Sequence, residues 1–160
     1  MLGRKILIEL QEYVDSYLEV KIIDVQEANK YMSEDILHKD LEVFVNTNRE
    51  LTFAQVLFNF IDKKEHTDVE VYKKARIDRK LFSKIRSNPD YRIGKSNAIA
   101  LALALELNKK ETEELLRSAG FSLSKSNTFD LVIQFCLEKE IYDLDEVNQA
   151  LDYCSLKSIN

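Results

Sequence analysis

Glycine and proline are nearly missing from this chain, with three Gly and one Pro among 160 residues. Sheets joined by tight turns and loops that cradle phosphate both consume glycine, so β architectures and P-loop chemistry are starved of the residue they need most. Helices remain. Hydrophobic residues make up 45% and charged residues 32%, enough apolar surface for a core and too much for a disordered tail. The length suits one ordinary domain, or one domain with an appendage. No apolar run approaches the ~18 residues that span a bilayer, and the first residues lead into charged helix-like sequence, so a cytoplasmic protein with no membrane partner is expected.

The net charge of −5 hides an uneven distribution. Residues 71–97 hold nine cations, Lys73, Lys74, Arg76, Arg79, Lys80, Lys84, Arg86, Arg92 and Lys95, against only Asp78 and Asp90, a balance of +7. Residues 1–50, 51–70 and 104–160 carry −5, −2 and −5. Concentrating cations in this way costs self-repulsion, which a polyanion relieves through counterion release and phosphate contact.

Apolar periodicity supplies the elements. Ile6, Leu7, Leu10, Tyr13, Val14, Tyr17 and Leu18 predict an amphipathic helix over 4–19, followed by short helices around Val25–Met32 and Glu34–His38 and an extended piece at Leu41–Val45. Thr52 with Gln55 and Thr67 with Glu70 are capping boxes that open helices over 52–64 and 67–75, the latter with Val69, Val71 and Tyr72 as apolar members. Asp78 caps a helix over 79–87 that turns Leu81, Phe82 and Ile85 inward and Arg79, Lys80, Ser83, Lys84 and Arg86 outward. Asn88-Pro89-Asp90 is a turn, and Ser96 caps a buried helix over 97–107. Asn108 with Glu111 opens the helix 109–118, closed by Gly120 at C′. Phe129, Leu131, Val132, Phe135 and Cys136 mark the next helix, and Asp143 with Glu146 caps a last one carrying Val147, Ala150 and Leu151. The expected fold is all-α, in three parts: residues 1–50, 51–120 and 121–160.

The helices at 67–75 and 79–87 are separated by only about three residues, which is helix-turn-helix spacing. Here VYKKARIDRKLFSKIRSN resembles the Cro/λ-repressor-like (XRE-type) helix-turn-helix family, a likeness covering about residues 52–120. IDRKLFSKIRSN, ALALELN, LLRSAGFSLS and FDLVIQFCLEKEIYDLDEVNQAL together also resemble a bacterial helical module found alone and C-terminal to macro domains, extending the likeness to about residue 152. The XRE resemblance implies a five-helix core; residues 1–50, outside both likenesses, are expected as a helical extension before it, and residues 121–160 as a helical pair packed on it. The XRE resemblance also implies double-stranded DNA as partner and a dimeric transcriptional regulator, of a kind that serves phages and mobile elements. Arg79, Lys80, Ser83 and Lys84 match the positions pointed at base edges, while Arg86, Asn88 and Thr67 match positions near phosphate. Lys73, Lys74, Arg76, Arg92 and Lys95 add charge around them. Arg76 stands where the pattern usually carries Gly, so either it adopts a left-handed backbone or the turn is rebuilt.

The alternative function is a protein-interaction or RNA-binding adaptor on the same helical fold, with residues 1–50 or the C-terminal helices as the partner surface. Catalysis, metals and cofactors find no footing in the sequence. His38 and His66 are the only histidines; neither is read as having a nearby Cys, Ser elbow or Glu pair at metal-ligand spacing, and both read as surface or helix-end residues. Asp143, Asp145 and Glu146 read as a cap in preference to a calcium loop. Cys136 and Cys154 read as buried free thiols. Tyr13, Tyr17, Tyr31 and Tyr72 read as core or interface residues.

Overall fold

The computed structural model describes residues 3–25 and 30–160, with side chains given for 3–14 and 34–160. The described residues are helical without strands: α1 Arg4–Val25, α2 Lys30–Asn48, α3 Phe53–Lys63, α4 Asp68–Lys74, α5 Arg79–Ser87, α6 Lys95–Ala104, α7 Lys109–Ser118, α8 Thr128–Glu138 and α9 Leu144–Tyr153. The chain divides into two compact units, Met1–Arg49 and Glu50–Asn160.

In the first unit α1 packs on α2, with Tyr13 edge-on to Phe44 at 6.3 Å between ring centres. Leu41–Val45 is not extended but lies inside α2, which also absorbs the helix expected at Glu34–His38. β-branched Val43 and Val45 mimic a strand locally, and the surrounding Ile36, Leu37, Asp40 and Phe44 repeat restores the helical period. Part of the Val25–Met32 helix, and the side chains of Tyr17, Leu18 and Tyr31, lie outside the described residues.

The second unit is built around α6, where Ala98 to Leu105 are all essentially solvent-free. α4, α7 and α9 pack on it, α3 lies on α7, and α8 bridges α7 and α9. Leu57, Val71, Ile85, Leu115, Leu116, Ile133 and Val147 close the core from six different helices. Side-chain caps fix most helix starts. Thr52 with Gln55 and Asn108 with Glu111 form reciprocal capping boxes, and Asp78, Asn127 and Asp143 each accept a first-turn N–H. The Thr67 box is only half made: Thr67 accepts the Glu70 N–H, while the Glu70 carboxylate turns to His66 Nδ1 at 3.3 Å. Ser96 is not a cap. Gly94 occupies that place without a side-chain bond, and the helix begins at Lys95.

The ends of α3, α4, α6, α7, α8 and α9 follow one rule. His66, Ile77, Leu107, Phe121, Ile141 and Leu156 each donate an N–H back five residues, and the residue before each sits at positive φ. These are Schellman closures. Only one of the six left-handed positions is glycine, Gly120, and the others are Glu65, Arg76, Glu106, Glu140 and Ser155. Each non-glycine there carries a backbone penalty of about 1 kcal/mol, offset by satisfied carbonyls and, at five of the six ends, by an apolar residue tucked in behind.

Several inward assignments reverse. Val69, Leu131 and Phe135 are exposed, because α4 buries Val71 and α8 turns Asp130, Ile133, Gln134 and Leu137 inward. Cys136 is buried, and burial raises its thiol pKa. Cys154 is exposed, since it caps α9 just past the buried Leu151.

Residues 121–160 bind tightly to the rest. Lys95 Nζ reaches both oxygens of Asp130 at 2.8 Å, and Asp130 is 1% exposed, so an ion pair inside the protein ties the start of α6 to α8. Asn148 exchanges two hydrogen bonds with the backbone of the fully buried Ile159, and Asn160 Nδ2 donates to Ala75 O at 3.0 Å.

Candidate nucleic-acid interface

α5 is short, begins cleanly and shows two opposed faces. Asp78 Oδ1 accepts the Lys80 N–H at 2.9 Å, which ends the preceding turn and starts the helix. Phe82 and Ile85 are buried, and Leu81 is half-buried. At 100° per residue the opposite sector holds Arg79, Lys80, Ser83, Lys84 and Ser87, all exposed. Among the described residues Arg79, Lys80 and Lys84 have no carboxylate partner.

Arg79 and Lys80 lie in the first turn of α5, at the positive end of its dipole, where cations cost a few tenths of a kcal/mol. Among the other described helices the charge order is mixed: α4, α8 and α9 begin with carboxylates, while α6 begins with Lys95 and α7 with Lys109 and Lys110. α4 carries Asp68 and Glu70 at its start and Lys73 and Lys74 at its end, and α7 carries Glu111 at its start and Arg117 at its end. Helix electrostatics therefore explain Lys73 and Lys74 but not Arg79 and Lys80.

The turn before α5 runs from Ala75 to Asp78, and Arg76 takes φ 53°, so the left-handed corner is made without glycine. It is braced from outside. Arg76 pairs with Asp145 in the first turn of α9, and the Ala75 carbonyl receives Asn160. Arg86 is likewise engaged: its guanidinium pairs with Asp68 and lies 4.0 Å from the centre of the Phe58 ring. Lys95 is held by Asp130. Of the nine cations in the basic window, three are thus in ion pairs, and Lys73, Lys74, Arg79, Lys80, Lys84 and Arg92 have none among the described residues.

The polar members of the set have local duties. Asn88 accepts the Asp90 N–H at 3.0 Å and forms the turn around Pro89. Thr67 spends its hydroxyl on the Glu70 N–H. The Glu70 carboxyl is held below its ordinary 4.5, first by the His66 hydrogen bond and then by the nearby Thr67 backbone. A phosphate approaching that helix start would meet the Asp68 and Glu70 carboxylates.

Between α4 and α5 lies a groove of about 380 Å³ lined by Asp68, Val69, Tyr72, Arg79, Phe82, Ser83 and Arg86. Phe82 is its aromatic centre, packed against Tyr72 at 5.5 Å and Phe58 at 5.9 Å. A second hollow of about 380 Å³ places Lys73, Lys74 and Arg76 opposite Glu106, Tyr142 and Asp143. Burial, then Glu140, Glu106 and Glu111, raise the Tyr142 phenol pKa and keep it a donor. No group of three metal-ligating side chains occurs among the described residues, and no described helix is long and apolar enough to cross a membrane.

Sequence reading missed Ser87, which follows Ser83 by one helical turn on the same face, a spacing visible in the residues themselves. It also missed Asp68, Asp130 and Asp145 as partners of the cations. Those pairs span 18, 35 and 69 residues and leave no local signal. No family model matches the chain, and no curated protein or solved structure is similar to it.

Proposed function

We propose that the Glu50–Asn160 unit binds double-stranded DNA as a non-enzymatic helix-turn-helix regulator, with α4 crossing the backbone and α5 laid in the major groove. The observation that carries this reading is the exposed face of α5, where Arg79, Lys80 and Lys84 stand without carboxylate partners among the described residues. Arg79 and Lys84 suit bidentate or point contacts to guanine edges, and Ser83 and Ser87 accept or donate to either groove edge. Lys73, Lys74 and Arg92 lie toward phosphate. Arg86, Arg76 and Lys95 serve the scaffold: Arg86 joins α5 to α4 and α3, Arg76 fixes the turn, and Lys95 anchors α6.

An adaptor that binds protein is the second reading, favoured by Leu131 and Phe135, which stand exposed one turn apart on α8. The test is fluorescence anisotropy of the full chain on duplexes from the upstream region of its own gene and on shuffled controls. The expected result is binding that prefers one duplex and disappears in the Arg79→Ala/Lys84→Ala variant. Unfolding of that variant should shift by no more than a few tenths of a kcal/mol, as surface changes do. Equal weak binding to all duplexes, unchanged in the variant, would favour the adaptor.

A further inference from the structure

In the Met1–Arg49 unit no described side chain reaches the buried class. Ile6, Leu7, Leu10 and Val14 fall within about 100° of one another on α1 and are 51%, 49%, 51% and 39% exposed. Leu41 and Val45 extend the seam of α2 beyond Leu37 and Phe44 and are 60% and 40% exposed. Two helices alone cannot enclose such a seam, since each covers only one side of the other; a second layer is required.

We infer that this hairpin is a self-association surface and that its occupant is the hairpin of a second copy of the chain, related by a two-fold axis in a four-helix arrangement. The area fits. An aliphatic side chain carries on the order of 100 Å² of apolar surface, and the Tyr13 ring, which edges Phe44, carries about 200 Å². Half of each is uncovered, which gives about 400 Å² per copy from these seven side chains. Two copies contribute about 800 Å² of apolar area, and at the ~65% apolar share of homodimer interfaces the whole is about 1,200 Å². That is the size of a stable specific interface.

The chain's own second unit offers no matching face among its described residues. Its exposed large apolar side chains are Leu51, Val69, Leu131, Phe135 and Tyr153, of which only Leu131 and Phe135 adjoin. A second hairpin presents the same seam by symmetry. The inference is independent of the DNA reading, since it concerns mass in solution without nucleic acid.

The test is sedimentation velocity of the full chain without DNA across micromolar concentrations. The expected species is a dimer of the 18.7 kDa chain. Leu10→Glu with Leu41→Glu should give monomer, and so should Leu10→Lys with Leu41→Lys. An equimolar mixture of the two variants should associate again, because opposite charges then face one another; a hairpin that had merely unfolded would not recover. A monomeric parent chain, a dimer indifferent to the substitutions, or a mixture that stays monomeric would each overturn the inference.

Discussion

The two units put their helices to opposite ends. All thirty of the buried hydrophobic side chains described lie between Phe53 and Ile159, while α1 and α2, at 22 and 19 residues the longest helices described, bury none of their described side chains. Length is therefore not what makes a helix secure here. α4, α5 and α6 have seven, nine and ten residues, too short to persist alone in water. Side-chain caps hold the starts of α4 and α5, Schellman closures the ends of α4 and α6, and a shared core all three, so the second unit closes its own core. The first has a seam that its described side chains leave half open.

The contrast can be broken most violently at the buried ion pair. Lys95→Met leaves the Asp130 carboxylate, 1% exposed, without its counter-charge and should cost about 3–5 kcal/mol in urea unfolding. A matched Lys95→Met/Asp130→Leu pair should recover most of that. A loss under 1 kcal/mol would mean that residues 121–160 are an appendage after all.

The caps sharpen the comparison at a smaller scale. Asn108→Ala should destabilise the second unit by about 1 kcal/mol while leaving association of the first unchanged. The same box sets an acid limit. Burial pushes the Glu111 carboxyl up, but the Asn108 N–H and Lys64 outweigh it, and its pKa is held below the ordinary 4.5. A depressed carboxylate contributes stability above the unfolded value, and that contribution is lost as pH falls through the folded one. Glu111→Gln should therefore flatten the loss of stability below pH 4.5 in an acid titration followed by circular dichroism. An unchanged acid limb would rule out Glu111 as a contributor.

The left-handed helix ends give the smallest effect and the opposite sign. Glu106→Gly relieves the Cβ at φ 53° and should stabilise by about 0.5–1 kcal/mol, although glycine also loosens the unfolded chain. Destabilisation would show that the Glu106 side chain itself holds the closure.

The pattern of what was legible in the residues has a physical basis. Thr52, Asp78, Asn108 and Asp143 act on N–H groups two or three residues away, so their spacing suffices to find the caps. The basic face of α5 was legible because one helical period separates its inward from its outward residues. Leu131 and Phe135 misled because α8 is apolar on much of its girth and only packing on α7 and α9 decides which stripe goes in. Leu41–Val45 misled because β-branched residues carry a local preference that helix context overrides. Arg76, Arg86 and Lys95 were counted with the DNA-facing cations because charge is visible in sequence, whereas a distant carboxylate is not.

The central claim concerns the unpaired cations of α5, and the salt dependence of duplex affinity tests it most directly. For the full chain, the logarithm of the association constant should fall linearly with the logarithm of salt, by about 0.9 for each phosphate contacted. Arg79→Ala/Lys84→Ala should make that slope shallower by up to about two contacts' worth at unchanged fold. A slope near zero, or one that the double substitution leaves intact, would contradict the account.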